Sequence, residues 1–137
     1  MVTVRKSSDL LTAQQLHVLE FGEGGHISDD SIAWYARRHP RKWSDIMGYA
    51  TARPMGDILY LNSASILRPY RGLGIHRKLI QARVRYAKRQ GMSTVITYTA
   101  YDNCASINNL IACGFKTFRP EYEWVGSEYI YWRKSCS

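Results

Sequence analysis

Apolar and polar positions change their period several times along the 137-residue chain. Val2 to Arg5 alternates, the pattern of a half-buried opening strand. Ser8-Asp9 is suited to capping a helix that carries Leu10, Leu11, Leu16 and Leu19. The cluster Phe21-Gly22-Glu23-Gly24-Gly25-His26 ends that helix, because closely spaced glycines do not hold helical backbone. Ser28-Asp29-Asp30 predicts a second short helix that ends before Pro40. Asp45 to Ala52 reads as a strand, Pro54-Met55-Gly56-Asp57 as a turn, and Ile58 to Leu67 as the strand that pairs back in a hairpin.

From Ile75 the period becomes helical. Ile75, Leu79, Ala82 and Tyr86 form one stripe, Ile80, Val84 and Ala87 widen it, and Gly91 stands where a C-terminal glycine stop belongs. Thr94 to Thr99 is a β-branched strand, Ser106 to Ala112 a short helix that stops at Gly114-Phe115, and the tail to Lys134 holds two aromatic strand-like runs around Gly126-Ser127. The expected order is therefore β, α, α, β, β, α, β, α, β, β over one domain, residues 1–137. Ile58–Leu67, Ile75–Gln90 and Thr94–Thr99 make a strand, crossover helix and strand within a hairpin-rich sheet. The fold class is α+β, a mixed, mostly antiparallel sheet with helices on both faces.

Composition narrows the function. The formal net charge is +8 and the pI about 9.6, a balance that favours anionic partners such as nucleic acid, an acidic peptide or a phosphate-rich cofactor. No apolar run approaches membrane-spanning length, and the basic start, Met1 to Lys6, has no apolar segment after it, so a cytoplasmic location is expected. Cys104, Cys113 and Cys136 lack metal-ligand or redox spacing, and no metal site is expected.

The chemistry concentrates at Arg71-Gly72-Leu73-Gly74-Ile75-His76, between a strand and a long helix. Two glycines there let the backbone approach a ligand closely, and the helix start offers unpaired N–H groups and the positive end of the dipole. This is a phosphate cradle. A dinucleotide fold would place such a turn after the first strand with an acid ending the next. A Walker A loop would be longer and end in Gly-Lys-Ser/Thr. Neither pattern fits.

Leu67-Arg68-Pro69-Tyr70-Arg71-Gly72-Leu73-Gly74-Ile75 resembles the V-x-P-x-x-R-G-x-G-I signature of the GCN5-related N-acetyltransferase (GNAT) family. Asn103 with Ser106, and Gly114-Phe115 eleven residues beyond Asn103, resemble two further family positions in the same order. The element order matches over essentially the whole chain. The resemblance implies acetyl-CoA as cofactor and transfer of its acetyl group to a primary amine of a small molecule or protein, by direct attack in a ternary complex. It further implies that backbone N–H groups from Arg71 through Arg77 hold the pyrophosphate and that Ile66 and Leu67 pair with the pantetheine arm in a slot between splayed strands. The Leu67 N–H, or its neighbour, would polarise the thioester carbonyl and steady the oxyanion. Asn103 and Ser106 would contact the cofactor from the other side.

Two departures stand out. His76 occupies a place that is usually Gly or Ala, its side chain either turned from the phosphates or supplying a cation near them. Leu110 stands where the family often has a tyrosine acid, leaving Tyr98, Tyr101, Tyr122 or water to serve the departing thiolate. A base is also required, since a neutral amine attacks. The strand Ile58–Leu67 has no carboxylate; Glu20, Glu23, His26, Asp29, Asp30 and Asp102 are the candidates, each also readable as a cap, turn or solvated charge. Arg77, Lys78, Arg83, Arg85, Lys88 and Arg89 read as a solvated helix face, with Arg77 and Lys78 nearest the cradle. The C-terminal aromatics read as core or dimer packing, compatible with a homodimer. A toxin-like enzyme that acetylates aminoacyl-tRNA and a non-catalytic CoA-binding module are the competing functions.

Overall fold

Seven strands form one sheet in the order β1-β2-β3-β4-β5-β7-β6. In this computed structural model, which describes residues 2–22, 26–38 and 45–137, the strands are β1 (Thr3–Ser7), β2 (Ile32–Arg37), β3 (Ile46–Met55), β4 (Ile58–Ile66), β5 (Thr94–Ala100), β6 (Lys116–Phe118) and β7 (Tyr129–Ser135). Three helices connect them: α1 (Leu11–Phe21), α2 (Ile75–Arg89) and α3 (Cys104–Ala112), with a 3-10 turn at Arg68–Tyr70. Every strand contact is antiparallel except β4 with β5, the pair joined by α2. The chain is thus a mixed α+β fold of the kind its sequence pattern predicts.

One element differs. The helix expected from Ser28 is the strand β2. Ser28-Asp29-Asp30 makes a turn, with the Ser31 N–H donating to the Ser28 carbonyl at 3.0 Å and the two serine hydroxyls 2.8 Å apart. The following run is apolar on both sides because β2 lies between β1 and β3 and is covered on both faces. Trp34 and Ala36 enter the core under α2, while Ala33 and Tyr35 enter the core under α1. A strand buried on both faces loses the alternation that marks a strand in sequence. The end expected before Pro40 lies outside the described residues.

The two cores divide the helices. Under α2 and α3, Leu79, Ile80, Val84 and Leu110 pack with Trp34, Leu59, Leu61, Val95 and Trp132. Under α1, Ala13 packs with Ala33, Tyr35 and Tyr49. The sheet also holds α1 by a hydroxyl: Tyr35 Oη accepts from the Ala13 N–H at 2.9 Å and donates to the Asp9 carbonyl at 2.6 Å. His17, one turn after Ala13, is thereby set over β3 and β4. The N-cap position is Leu10, without a side-chain cap, and not Ser8 or Asp9 as expected; Asp9, just ahead of it, accepts from the Thr12 hydroxyl at 2.8 Å.

The arrangement that matters for function is between β4 and β5. Their parallel pairing covers only Ile58↔Thr94, Leu59↔Val95 and Tyr60↔Ile96, although both strands run on. The register between β3 and β4 shifts between Thr51 and Arg53, at the height where β4 leaves β5. A shift of this kind bends a strand and strengthens its twist. Past Tyr60 and Ile96 the sheet is open.

Candidate active site

The opening between β4 and β5 holds a cavity of about 440 Å³. Leu61 to Ala64 form one wall and Thr97 to Ala100 the other. Residues from both faces of the sheet reach it. His17, Phe21 and Ser63 line it from the α1 side, and His76, Ile80, Arg83, Asn103, Ser106 and Leu110 from the side of α2 and α3. The cavity therefore passes through the sheet. Thr97 Oγ1 closes its inner end by donating to the Leu61 carbonyl at 2.8 Å.

The glycine loop leads directly into His76, the first α2 residue that lines the cavity, although residues 66, 67 and 71–75 do not line it themselves. Gly72 and Gly74 have φ of +80° and +78°, and a Cβ built on either meets nothing within 4 Å. Open space thus faces the backbone. Among the described residues, the N–H groups of Gly72 through Arg77 find no backbone carbonyl, and the Lys78 N–H is the first to do so, at 3.2 Å from the Gly74 carbonyl. The Arg71 N–H is bonded to the Arg68 carbonyl at 3.3 Å, so the free row begins one residue later than the motif implied. No acidic residue occupies the first turn of α2. Arg77 and Lys78 there do nothing for the helix dipole and suit an anion instead.

On β4 the backbone has two sides. The Leu67 N–H donates to the Met47 carbonyl at 2.9 Å, so it is already spent and does not face the opening. Antiparallel pairing alternates the direction of successive peptide groups. Ile66, opposite Gly48, therefore points its N–H and C=O toward the opening, and Arg71 Nε donating to the Ile66 carbonyl at 2.8 Å agrees. Of Leu67 and its neighbour, it is thus Ile66 whose N–H is left unpaired by β3.

The tyrosine candidates separate. Tyr98 lines the cavity, packed edge to face on Tyr129 at 5.4 Å, and burial followed by Tyr129 and Tyr131 raises its pKa. Tyr101 and Tyr122 are 64% and 76% exposed and do not line it. Leu110 is core as well as lining, which accounts for an apolar residue at the position where a tyrosine was expected. Asn103 caps α3, its Oδ1 accepting from the Ser106 N–H at 3.2 Å, and both residues face the cavity.

His76 turns toward α3. Asn109 Nδ2 lies 3.3 Å from His76 Nδ1, and Arg77 Nε donates to Asn109 Oδ1 at 3.3 Å. Burial, then the nearby Arg83 charge, pushes the His76 pKa down to about 4. At neutral pH it is uncharged, so it brings no cation to the cradle. Arg83 corrects the reading of a solvated face: it is 2% exposed, donates to the Leu79 and Thr51 carbonyls at 3.1 and 3.0 Å, and lines the cavity. Its carbonyl partner on β3 lies at the register shift, so Arg83 braces the bend that opens the sheet. Burial lowers its pKa to about 9, which leaves it cationic at pH 7.

Acetyltransferase (GNAT) family is the description of the sequence model that matches residues 9–115. The chain is a GNAT acetyltransferase. Its fold is similar to that of an IAA acetyltransferase from Bacillus cereus, with TM-score 0.75 and 14% identity over 98% of this chain and 99% of that one. It is also similar to the ribosomal-protein-S18-alanine N-acetyltransferase from Escherichia coli, with TM-score 0.72 and 17% identity over 100% and 95%. A third similar structure, from Bacillus anthracis, is named for streptothricin acetylation and was solved with acetyl coenzyme A. Its TM-score is 0.62, at 23% identity over 79% and 64%. At such identities these likenesses carry the fold alone. No curated protein sequence matches the chain.

The acyl donor of a GNAT acetyltransferase is acetyl-CoA, and the observed groups suit it. A phosphate group fits the open space at Gly72 and Gly74 and the unpaired N–H row behind it. The free edge of β4 at Ala64 and Ile66 suits an extended amide-bearing arm.

Three cavity residues were not picked out in the sequence. His17 Nδ1 lies 2.9 Å from Tyr49 Oη and 3.0 Å from Ser63 Oγ, contacts between α1, β3 and β4 that no local spacing reveals. Tyr129 is visible only as one aromatic among many, whereas Arg83 is marked by its spacing of four from both Leu79 and Ala87 on the apolar stripe. Among the base candidates, Glu20 is paired to Arg71 at 3.0 Å, Asp29 accepts from Gln14 at 3.2 Å and Asp30 pairs with Arg53 at 2.9 Å. None of these, nor Asp102 or His26, lines the cavity. Glu23 lies outside the described residues.

Proposed function

We propose that this GNAT acetyltransferase transfers the acetyl group of acetyl-CoA to a primary amine with both ligands bound together, the acceptor being a small molecule or a protein amine. The observation that carries the reading is the through-sheet cavity. One ligand enters from the glycine loop on the α2 face and the other from the α1 face, and they meet between β4 and β5. Bound acetyl-CoA supplies an acetyl group activated as a thioester. Gly72 through Arg77 would hold its phosphates, Ile66 would donate its N–H to the thioester carbonyl, and Asn103 and Ser106 would flank the arm. Tyr98 keeps its proton and is the hydroxyl in the cavity suited to giving it up to sulfur. Arg83 adds a buried positive charge to the same space, where negative charge develops on the leaving atom.

Direct transfer is also favoured by what the cavity lacks. Cys104, Cys113 and Cys136 do not line it, so no thiol stands ready to carry the acetyl group. The test is a screen of primary amines with thiol release as readout and product mass as confirmation. The reading expects thiol release that depends on the amine and an amine product heavier by one acetyl group. Acetylated protein accumulating without amine and chasing into product would contradict direct transfer. Absence of turnover with every amine would contradict the function.

A further inference from the structure

The reaction needs a proton acceptor on the acceptor side of the cavity, and among the described residues the carboxylates named in the sequence are engaged elsewhere or stand apart from it. We propose that His17 is the general base: Nε2 removes a proton from the acceptor amine while Nδ1 is held by the hydroxyls of Ser63 and Tyr49. The inference rests on the transferase reading above and adds a residue to it.

Three observations converge on His17. It lines the cavity from the α1 face, beside Asn62 and Ser63 and across from Tyr98 and Tyr129. Its Nδ1 edge is fixed by Tyr49 Oη at 2.9 Å and Ser63 Oγ at 3.0 Å, and Nε2, on the opposite edge of the ring, makes no bond to the described residues. Phe21 packs against the ring with centroids 4.7 Å apart, which fixes its plane. In the tautomer that donates from Nδ1 to one hydroxyl oxygen, Nε2 carries the lone pair. A base fixed at one nitrogen and open at the other meets the geometric requirement for general-base catalysis.

The balance is simple. An N–H bond of the acceptor breaks, its proton moves to Nε2, and the nitrogen keeps the electron pair. That pair forms the bond to the acetyl carbon as the carbon–sulfur bond breaks and its electrons leave on sulfur; the second proton, shed by the now cationic nitrogen, goes to sulfur by way of the Tyr98 hydroxyl and gives the free thiol. The imidazolium then returns its proton to solvent. Ser63 and Tyr49 are positioning residues, since they act through the ring.

The charged and titratable groups around His17 agree with this role. On α1, Glu20 is neutralised by Arg71. Burial, and after it the nearby His26, disfavours the charged imidazole and so favours the neutral base. Tyr49 on β3 is itself pushed up by burial and keeps its hydroxyl proton. Tyr98, across the cavity, behaves likewise.

The test joins a titration to a rate profile. The His17 ring is followed by NMR in the ligand-free protein. Acetylation of glycinamide, phenethylamine and spermidine is followed by thiol release as a function of pH. The proposal expects a His17 midpoint below the ordinary 6.5 and an acid limb of kcat/KM at that midpoint. His17→Asn keeps a polar group near Nδ1 and removes Nε2. It should abolish the limb and lower kcat/KM by about 10²–10⁴-fold, with calorimetric affinity for acetyl-CoA unchanged. Tyr49→Phe, which leaves Nε2 in place, should shift the NMR midpoint while keeping the limb. An acid limb that persists in His17→Asn, or a wild-type midpoint at or above 6.5, would overturn the role of His17 alone. Wild-type turnover with none of the three amines would overturn the transferase reading and this role together.

Discussion

Replacing Gly72 and Gly74 by alanine separates the cradle from the fold. Both backbones are left-handed, at φ +80° and +78°, a conformation that costs a residue with a Cβ about 1–2 kcal/mol. The pair therefore costs about 2–4 kcal/mol, less than the roughly 5–15 kcal/mol that holds a domain of this size. Nothing lies within 4 Å of either new methyl group, so packing adds no further cost and the double variant stays folded. The methyl groups instead occupy the space a phosphate would use. Losing two hydrogen bonds to a charged group, at about 1.5–3 kcal/mol each, corresponds to a roughly 10²–10⁴-fold weaker Kd for CoA. Calorimetric titration with CoA measures it. Gly91→Ala is the control: its φ of +72° imposes similar strain at the other end of α2, with the same open surroundings. The control should melt earlier and bind CoA as wild type does. A double variant that binds CoA as tightly as Gly91→Ala would refute the cradle.

Three further outcomes are expected. A Cβ at Gly48 would stand 2.7 Å from Ile66 Cδ1 and 2.8 Å from the Ser65 carbonyl, so Gly48→Ala should displace the free end of β4. It should cost about 1–3 kcal/mol in urea unfolding and raise KM for acetyl-CoA; an unchanged KM would argue against Ile66 as a donor. His76, lowered to about 4, is neutral in the native state, so its contribution is complete above pH 6.5 and is lost as pH falls toward 4, because the unfolded chain takes the proton first. At about 1.36 kcal/mol per unit the loss approaches about 3 kcal/mol, and His76→Asn should flatten that slope in denaturant titrations at successive pH values. Glu20→Gln breaks an exposed pair with Arg71 and should cost under about 1 kcal/mol with kcat/KM within roughly threefold; a large fall in kcat would return Glu20 to the list of bases.

Much of the fold was legible because its elements carry local signals. The stripe from Ile75 to Ala87, the β-branched run from Thr94 and the hairpin around Gly56 each announce themselves within a few residues. The run from Ile32 to Arg37 did not, since a strand covered on both faces looks like any apolar segment, and the serine-aspartate cluster before it caps or turns equally well. The cradle was legible for the same local reason, two glycines at a strand-to-helix junction. Beyond it, the site depends on contacts distant in sequence. Which N–H of β4 is free follows from the pairing of Leu67 with Met47, and the identity of a poised histidine follows from Tyr49 and Ser63 meeting His17. Arg83 shows the limit of charge patterns: one of six basic residues on α2 turns inward to the carbonyl of Thr51, and the signal that marks it is its place four residues from both Leu79 and Ala87 on the apolar stripe.

Amine-dependent thiol release from acetyl-CoA by the purified protein tests the central claim most directly. The account predicts that thiol appears with a primary amine present, that the amine gains one acetyl group, and that the Gly72→Ala/Gly74→Ala protein, though folded, does neither at the same acetyl-CoA concentration. Equal turnover by that variant, or thiol release indifferent to the amine, would contradict it.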